Sequence, residues 1–173
     1  MIRNRFLAFH LFSSLIVIGF SAPPAAADSC QSVFDAITKI VTTPSHSYST
    51  GVVNGKPRST ETIYVQGKTY MIVKGKWWLS PVTPNDVLKQ EMENRANGKA
   101  ACQFLRNESV NGEPAAVYSM RRETETVKED GQVWISKANG RALREEVDAD
   151  YGGAIGESHL SARYDYNNVK PPM

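Results

Sequence analysis

The sequence is poor in the residues that most catalytic and metal chemistry requires. Three histidines and two cysteines occur in 173 residues, and no two of them stand at metal-ligand spacing. There is no G-x-S-x-G elbow, no H-E-x-x-H and no glycine loop opening a helix to cradle phosphate. The glycine-rich stretch Gly152–Gly156 leads into a strand pattern instead and lacks that helix dipole. An excess of one charge is also missing: 20 Lys and Arg face 18 Asp and Glu. No basic patch remains to hold nucleic acid, and no polybasic segment to hold an anionic membrane. Repeats of solenoid length and low-complexity segments are absent. Metal enzymes, common hydrolases and nucleic-acid binders are therefore disfavoured, and no cofactor is expected.

What is present begins with an address. Arg3 and Arg5 precede the apolar run Phe6–Phe20, and Ala25-Ala26-Ala27 follows Pro23-Pro24. This is the layout of a secretory signal peptide over residues 1–27, cut after Ala27. The run of about 15 residues falls short of the roughly 20 needed to span a bilayer, so no transmembrane anchor is expected after cleavage. Ala27-Asp28-Ser29 lacks the small-residue box expected ahead of a lipidated cysteine, so lipidation at Cys30 is not expected. Removing the two arginines leaves 18 basic against 18 acidic residues. The remaining residues, 28–173, suit one exported domain, periplasmic or secreted. In that compartment Cys30 and Cys102 are expected to pair. A bridge closing a loop of roughly 70 residues contributes about 4 kcal/mol on the chain-entropy account.

Periodicity predicts an α+β fold. Ser32–Thr43 carries Val33, Phe34, Ile37, Ile40 and Val41 as one apolar stripe, with Ser29 or Ser32 as its cap and Pro44 as its stop. The stretch Ser59–Pro81 reads as three strands joined by tight turns at Gly67 and Gly75. Its apolar residues fall on both faces: Ile63 and Val65 oppose Tyr64, and Met71 and Val73 oppose Tyr70 and Ile72. Such a sheet is covered at least partly on both sides. Pro57 marks a weakly paired or edge position. Thr83-Pro84-Asn85-Asp86 opens a second, mostly polar helix closed by Asn97-Gly98 with a left-handed cap; as an exposed connector it is the plainer reading, as a lid the alternative. Asn111-Gly112 and Ala138-Asn139-Gly140 mark further hairpins, and His159–Tyr166 a last strand. Eight or nine strands with short turns imply an antiparallel meander packed against the first helix.

Candidate chemistry is thin. His46 and His159 sit among hydroxyl residues, where a hydrogen-bonded surface histidine is the plain reading. Glu123, Glu125, Glu129, Asp130, Glu145, Glu146 and Asp148 match a carboxylate pair by type only, and Arg121, Arg122, Arg141 and Arg144 read as solvated. The informative excess is aromatic: Tyr64, Tyr70, Trp77, Trp78, Tyr118, Trp134, Tyr164 and Tyr166 all fall in strand patterns. Adjacent Trp77 and Trp78 must point to opposite faces. Either these rings fill a core or several line an apolar groove.

Gly67-Lys68-x-Tyr70 ahead of Trp77, Asn111-Gly112, Val133-Trp134-Ile135 and Gly140-x-x-Leu143-Arg144-x-Glu146, behind an exported amphipathic helix, resemble the LolA/LolB-like superfamily of periplasmic lipoprotein carriers. The likeness spans most of residues 32–168. It implies a half-barrel: a curved antiparallel sheet around helices, with an apolar cavity between them that takes lipid or acyl chains. Tyr70, Trp77, Trp134 and Leu143 would then be sheet positions near that cavity, with Tyr64 and Ile72 completing its lining. The chain is shorter than the carriers and cysteine-bridged, so a smaller relative fits better than the carrier itself. Three functions stay open in order: a non-enzymatic protein holding a lipid or other hydrophobe, an envelope protein–protein interaction or inhibitor module with a filled core, and a hydrolase resting on His159 and unplaced acids.

Overall fold

The computed structural model describes residues 27–53, 55–153 and 156–172. Apart from Ala27, the expected signal peptide lies outside the described residues, as does Asn54 of the first hairpin turn. The elements in chain order are α1 (Ala27–Thr42), β1 (Ser45–Val53), β2 (Lys56–Val65), β3 (Lys68–Val73), β4 (Lys76–Leu79), α2 (Pro84–Asn97), β5 (Lys99–Val110), β6 (Glu113–Glu123), β7 (Lys128–Ser136), β8 (Ala142–Asp150) and β9 (Glu157–Asp165). All nine strands form one antiparallel sheet in the order β4-β3-β2-β1-β9-β8-β7-β6-β5. This is the expected α+β half-barrel, with one change. Two meanders, β1–β4 and β5–β9, meet where β1 pairs with β9.

The stripe of α1 packs as its spacing predicts. Val33, Ala36 and Ile40 are buried against Met120, Val133, Ile135 and Ala142 of the sheet. The helix begins at Ala27, so Ser29 and Ser32 lie inside it and neither is its cap. At its other end Ser45 donates its hydroxyl to the Ile40 carbonyl at 2.5 Å, and Pro44 forbids another turn. Lys39, in the last turn, donates to the Asn139 carbonyl in the β7–β8 connection. Cys30 is bonded to Cys102 of β5, with Cα atoms 4.9 Å apart. The staple therefore fixes the start of α1 over the β5 edge of the sheet.

Several strands run longer than apolar alternation alone predicts, because charge pairs extend them. At the turn end of the β6–β7 hairpin, Arg121 faces Asp130, Arg122 faces Glu129 and Glu123 faces Lys128. Each of these register pairs is also an ion pair. Opposite charges directly across a ladder stabilise it, so a stretch that reads as polar loop becomes strand. Pro57 behaves as expected: β3 pairs β2 only over Thr62–Val65, leaving Pro57 without a partner on that side.

Helix α2 starts as predicted, with a capping box in which Thr83 and Asp86 exchange hydrogen bonds. Its end differs. Gly98 is extended, at φ −108°, not left-handed, because the chain passes straight into β5. Glycine is needed there for room: a Cβ would lie 2.7 Å from the Asn94 carbonyl oxygen and 3.0 Å from that of Glu123.

Replacing both cysteines with alanine should cost about 4 kcal/mol of unfolding free energy, since the bridge joins residues 72 apart. Urea unfolding of the wild type and the double variant measures it; a difference under about 1 kcal/mol would mean that α1 is held by packing alone.

Candidate functional site: a cleft beneath the second helix

Strands β4 and β5 are consecutive in sequence yet lie on opposite edges of the sheet. The chain between them must cross one face, and α2 is that crossing. It lies beside α1, on the face where α1 packs, and is held there mainly by charge. Its own apolar stripe is thin. Arg95 donates to the Phe34 carbonyl at 3.1 Å and to Thr38 Oγ1 at 3.2 Å, with its guanidinium 4.3 Å from the Phe34 ring centre. Glu91 accepts from Arg95 at 3.2 Å and from Arg122 of β6 at 2.8 Å, and Arg122 also reaches Glu129 at 2.6 Å. Burial opposes the charge on Arg122, but Glu91 and Glu129 outweigh it and hold its pKa above the ordinary arginine value. Arg122 is thus no solvated surface charge; it ties α2 to the sheet.

Between the two helices and the sheet lies a cleft of about 580 Å³. Ile37, Ile40 and Val41 of α1, Val87 and Leu88 of α2, and Leu160 of β9 contribute its apolar walls. Its floor combines Tyr64, Tyr164 and Glu145, with the hydroxyl residues Ser47, Ser49 and Thr62 at one side. Tyr164 donates its hydroxyl to Glu145 at 2.7 Å. Desolvation pushes the Glu145 carboxyl above its ordinary value, although the Tyr164 hydrogen bond and Arg122 pull the other way. Burial, followed by the neighbouring Glu145, raises the Tyr164 phenol well above its usual value, and burial raises Tyr64. The arrangement is an apolar slot with one hydrogen-bonding pair at its base. Clefts of this size and lining suit small amphiphilic ligands.

The six lining residues expected from sequence are not brought together. Only Tyr64 lines the cleft. Tyr70 and Trp77 pack with Ile63, Val65 and Val169 on the opposite face, and Ile72 is the cross-strand partner of Trp77 there. Trp134 and Leu143 pack with Ala115 and Val117, also away from the helices. Alternation explains the tyrosine and tryptophans, since α1 takes Val133 and leaves Trp134 to the other side. Leu143 is displaced by a bulge. Trp134 pairs with Arg144 and Ile135 with Ala142, so Leu143 is the extra residue and its side changes. The residues that do line the cleft were visible only as separate signals: the α1 stripe, the β9 alternation Leu160-Ala162-Tyr164, and the thin stripe of α2. Nothing in the sequence singled out Glu145.

Another concavity, of about 950 Å³, lies elsewhere and is lined mainly by charged side chains. Arg121 pairs with Asp130 and His159 with Asp148 at 2.7 Å, and Val52 and Ala149 stand among these charges. Among the described residues no group of three or more His, Cys, Asp or Glu is placed to hold a metal ion, and no helix is long and apolar enough to cross a membrane.

No protein-family model matches the chain, and no curated protein matches it by sequence. Solved structures are similar at low identity. LprF from Mycobacterium bovis is 9% identical with a TM-score of 0.45, over 87% of this chain and 97% of that one. MucB is 12% identical with a TM-score of 0.46; the match covers 87% of this chain and 62% of MucB, under two thirds of its length. The hypothetical lipoprotein YmcC from Escherichia coli (K12) is 12% identical with a TM-score of 0.41, over 88% of this chain and all 100% of that one. These similarities are too distant to say anything of the cleft.

The raised carboxyl makes stability fall with pH. A folded state that holds the Glu145 proton more tightly than the unfolded chain gains below the ordinary value, near 4.5. That gain is lost as pH rises through the higher folded value. Glu145→Gln keeps an acceptor for Tyr164 and removes the titration. Its melting temperature, followed from about pH 4 to 8, should rise relative to wild type as pH increases. Parallel curves would show that Glu145 titrates as it does in the unfolded chain.

Proposed function

We propose that this chain is an exported, non-enzymatic binding protein whose cleft between sheet and helices holds an amphiphile with an acyl or similar apolar tail. The observation that carries this reading is the cleft's composition: apolar walls from three elements over a floor of Glu145 and Tyr164. A tail buried along Ile40, Val41 and Leu88 would gain roughly 0.8 kcal/mol per methylene removed from water. A hydroxyl or amine of the head group would find its partner in the Glu145–Tyr164 pair. A polar pair at the base of an apolar slot fixes orientation without demanding one tail length. The likeness to lipoprotein carriers noted in the sequence is consistent with this reading.

A protein-interaction role is the alternative. Exposed apolar side chains at Trp78 and Met92, 60% and 67% exposed, favour contact with another protein.

Binding of a fluorescent fatty acid separates the two. Leu88→Asp places a charge in the cleft wall on α2, whose anchors Glu91 and Arg95 are untouched, and should weaken binding at least about tenfold. Ile72→Ala, on the opposite face, should bind within about twofold of wild type. Undiminished binding by Leu88→Asp, or loss in Ile72→Ala instead, would remove the cleft from the account. No uptake by the wild type would turn attention to a protein partner at Trp78 and Met92.

A further inference from the structure

On the face away from the helices, one row of residues crosses the sheet in register. Glu61 of β2 faces Tyr48 of β1, and Tyr48 faces Arg163 of β9. Arg163 faces Arg144 of β8, and Arg144 faces Trp134 of β7. Two arginines are therefore direct cross-strand partners, an arrangement that costs stability in an antiparallel pair. Each leans on the aromatic ring outside it. Arg163 lies 4.7 Å from the Tyr48 ring centre, and Arg144 lies 4.6 Å from that of Trp134. Stacking holds both cations flat; Arg144 gives an N–H to Glu146, while Arg163 keeps its N–H edges for another acceptor.

The nearby carboxylates balance Arg144 but not Arg163. Glu146 pairs with Arg144, and Glu108 accepts from Trp134 and Arg106. Glu61 is engaged by His46 at 2.9 Å, Asp165 accepts the Asn167 amide at 2.8 Å, and Glu113 accepts from Ser136. Among the described residues no carboxylate forms an ion pair with Arg163. Arg144 and Arg163 line one groove of about 590 Å³, together with the hydroxyl-bearing Tyr48, Thr50, Thr60 and Ser161. It adjoins a second concavity of about 410 Å³ that shares Tyr48 and Arg163.

We propose that this groove binds a phosphate-type tetrahedral oxyanion, taken between the Arg144 and Arg163 guanidinium groups with Ser161 or Tyr48 supplying a hydroxyl donor. A like-charge pair aligned across a ladder, flattened by aromatic rings and set among hydroxyl groups, is stabilised when an anion bridges it. Arginine N–H edges fit such an oxyanion in a bidentate manner. The site is separate from the cleft beneath α2 and does not depend on the reading of that cleft.

The test uses the full-length mature chain with inorganic phosphate, sodium chloride at matched ionic strength being the control. Phosphate at about ten times its Kd should raise the wild-type melting temperature by about 3–6 °C above the chloride control. Arg163→Gln removes the like-charge opposition, so without phosphate it should melt at or above the wild-type temperature. Its phosphate affinity by calorimetry should fall at least about tenfold. Ser161→Asp, which keeps both arginines and places a carboxylate beside them, should abolish the phosphate response in the same way and serves if Arg163→Gln folds poorly. Glycerol 3-phosphate and phosphatidylglycerol vesicles then tell a soluble phosphate ester from a lipid head group. Phosphate affinity within twofold of wild type in both variants, or no wild-type response beyond chloride, would overturn the site.

Discussion

The constraint on which this structure depends is topological. Because β4 and β5 sit at opposite edges of a nine-stranded sheet, the polypeptide must traverse a face between them. A crossing segment needs partners for its backbone, and a helix satisfies most of those internally. Once α1 is stapled through Cys30 to β5, the crossing helix has only the remaining part of that face to occupy. The space between α2, α1 and the floor of β1, β8 and β9 is the result. The cleft follows from the order of the strands before it follows from any lining residue.

Charge sets how far α2 stands from the floor. A helix with a broad apolar stripe would sink onto the sheet and fill the space. Here Glu91, Arg95 and Arg122 form a bridge from α1 through α2 to β6, and long ionic side chains hold the helix away from a full hydrophobic contact. The same arginine couples the bridge to the floor, since Arg122 is among the charges that act on Glu145. Half-buried ion pairs of this kind contribute little net stability; their role here is position. The opposite face is organised differently, by aromatic rings and guanidinium groups stacked along one row of the ladder.

Much of the fold was legible in the sequence. The stripe of α1, the Thr83–Asp86 cap and the turns at Gly67, Gly75 and Asn111-Gly112 all act locally, and local chemistry decides them. The disulfide followed from two cysteines in a chain expected to be exported. What was not legible depends on pairing between distant segments. Lys128 to Asp130 reads as loop until the ladder supplies each charge with its opposite. Leu143 changes face because of one bulge against Trp134, which alternation cannot reveal. The candidate site suffered most, because a cleft assembled from α1, α2, β8 and β9 has no contiguous signature. The conspicuous aromatics Tyr70, Trp77 and Trp134 lie on the face away from the helices, while Tyr164 and Glu145, which no motif marks, form the floor of the cleft.

The central claim is that the space beneath α2 is an occupied binding site in the native protein. Native mass spectrometry, with lipid extraction, of the mature protein purified from its own host without detergent tests it most directly. The account predicts a bound amphiphile of defined mass, present in the wild type and depleted in Leu88→Asp. A clean apo mass, with no extractable lipid and no subsequent uptake of a fatty acid, would contradict it and leave the cleft as a packing consequence of the crossing helix.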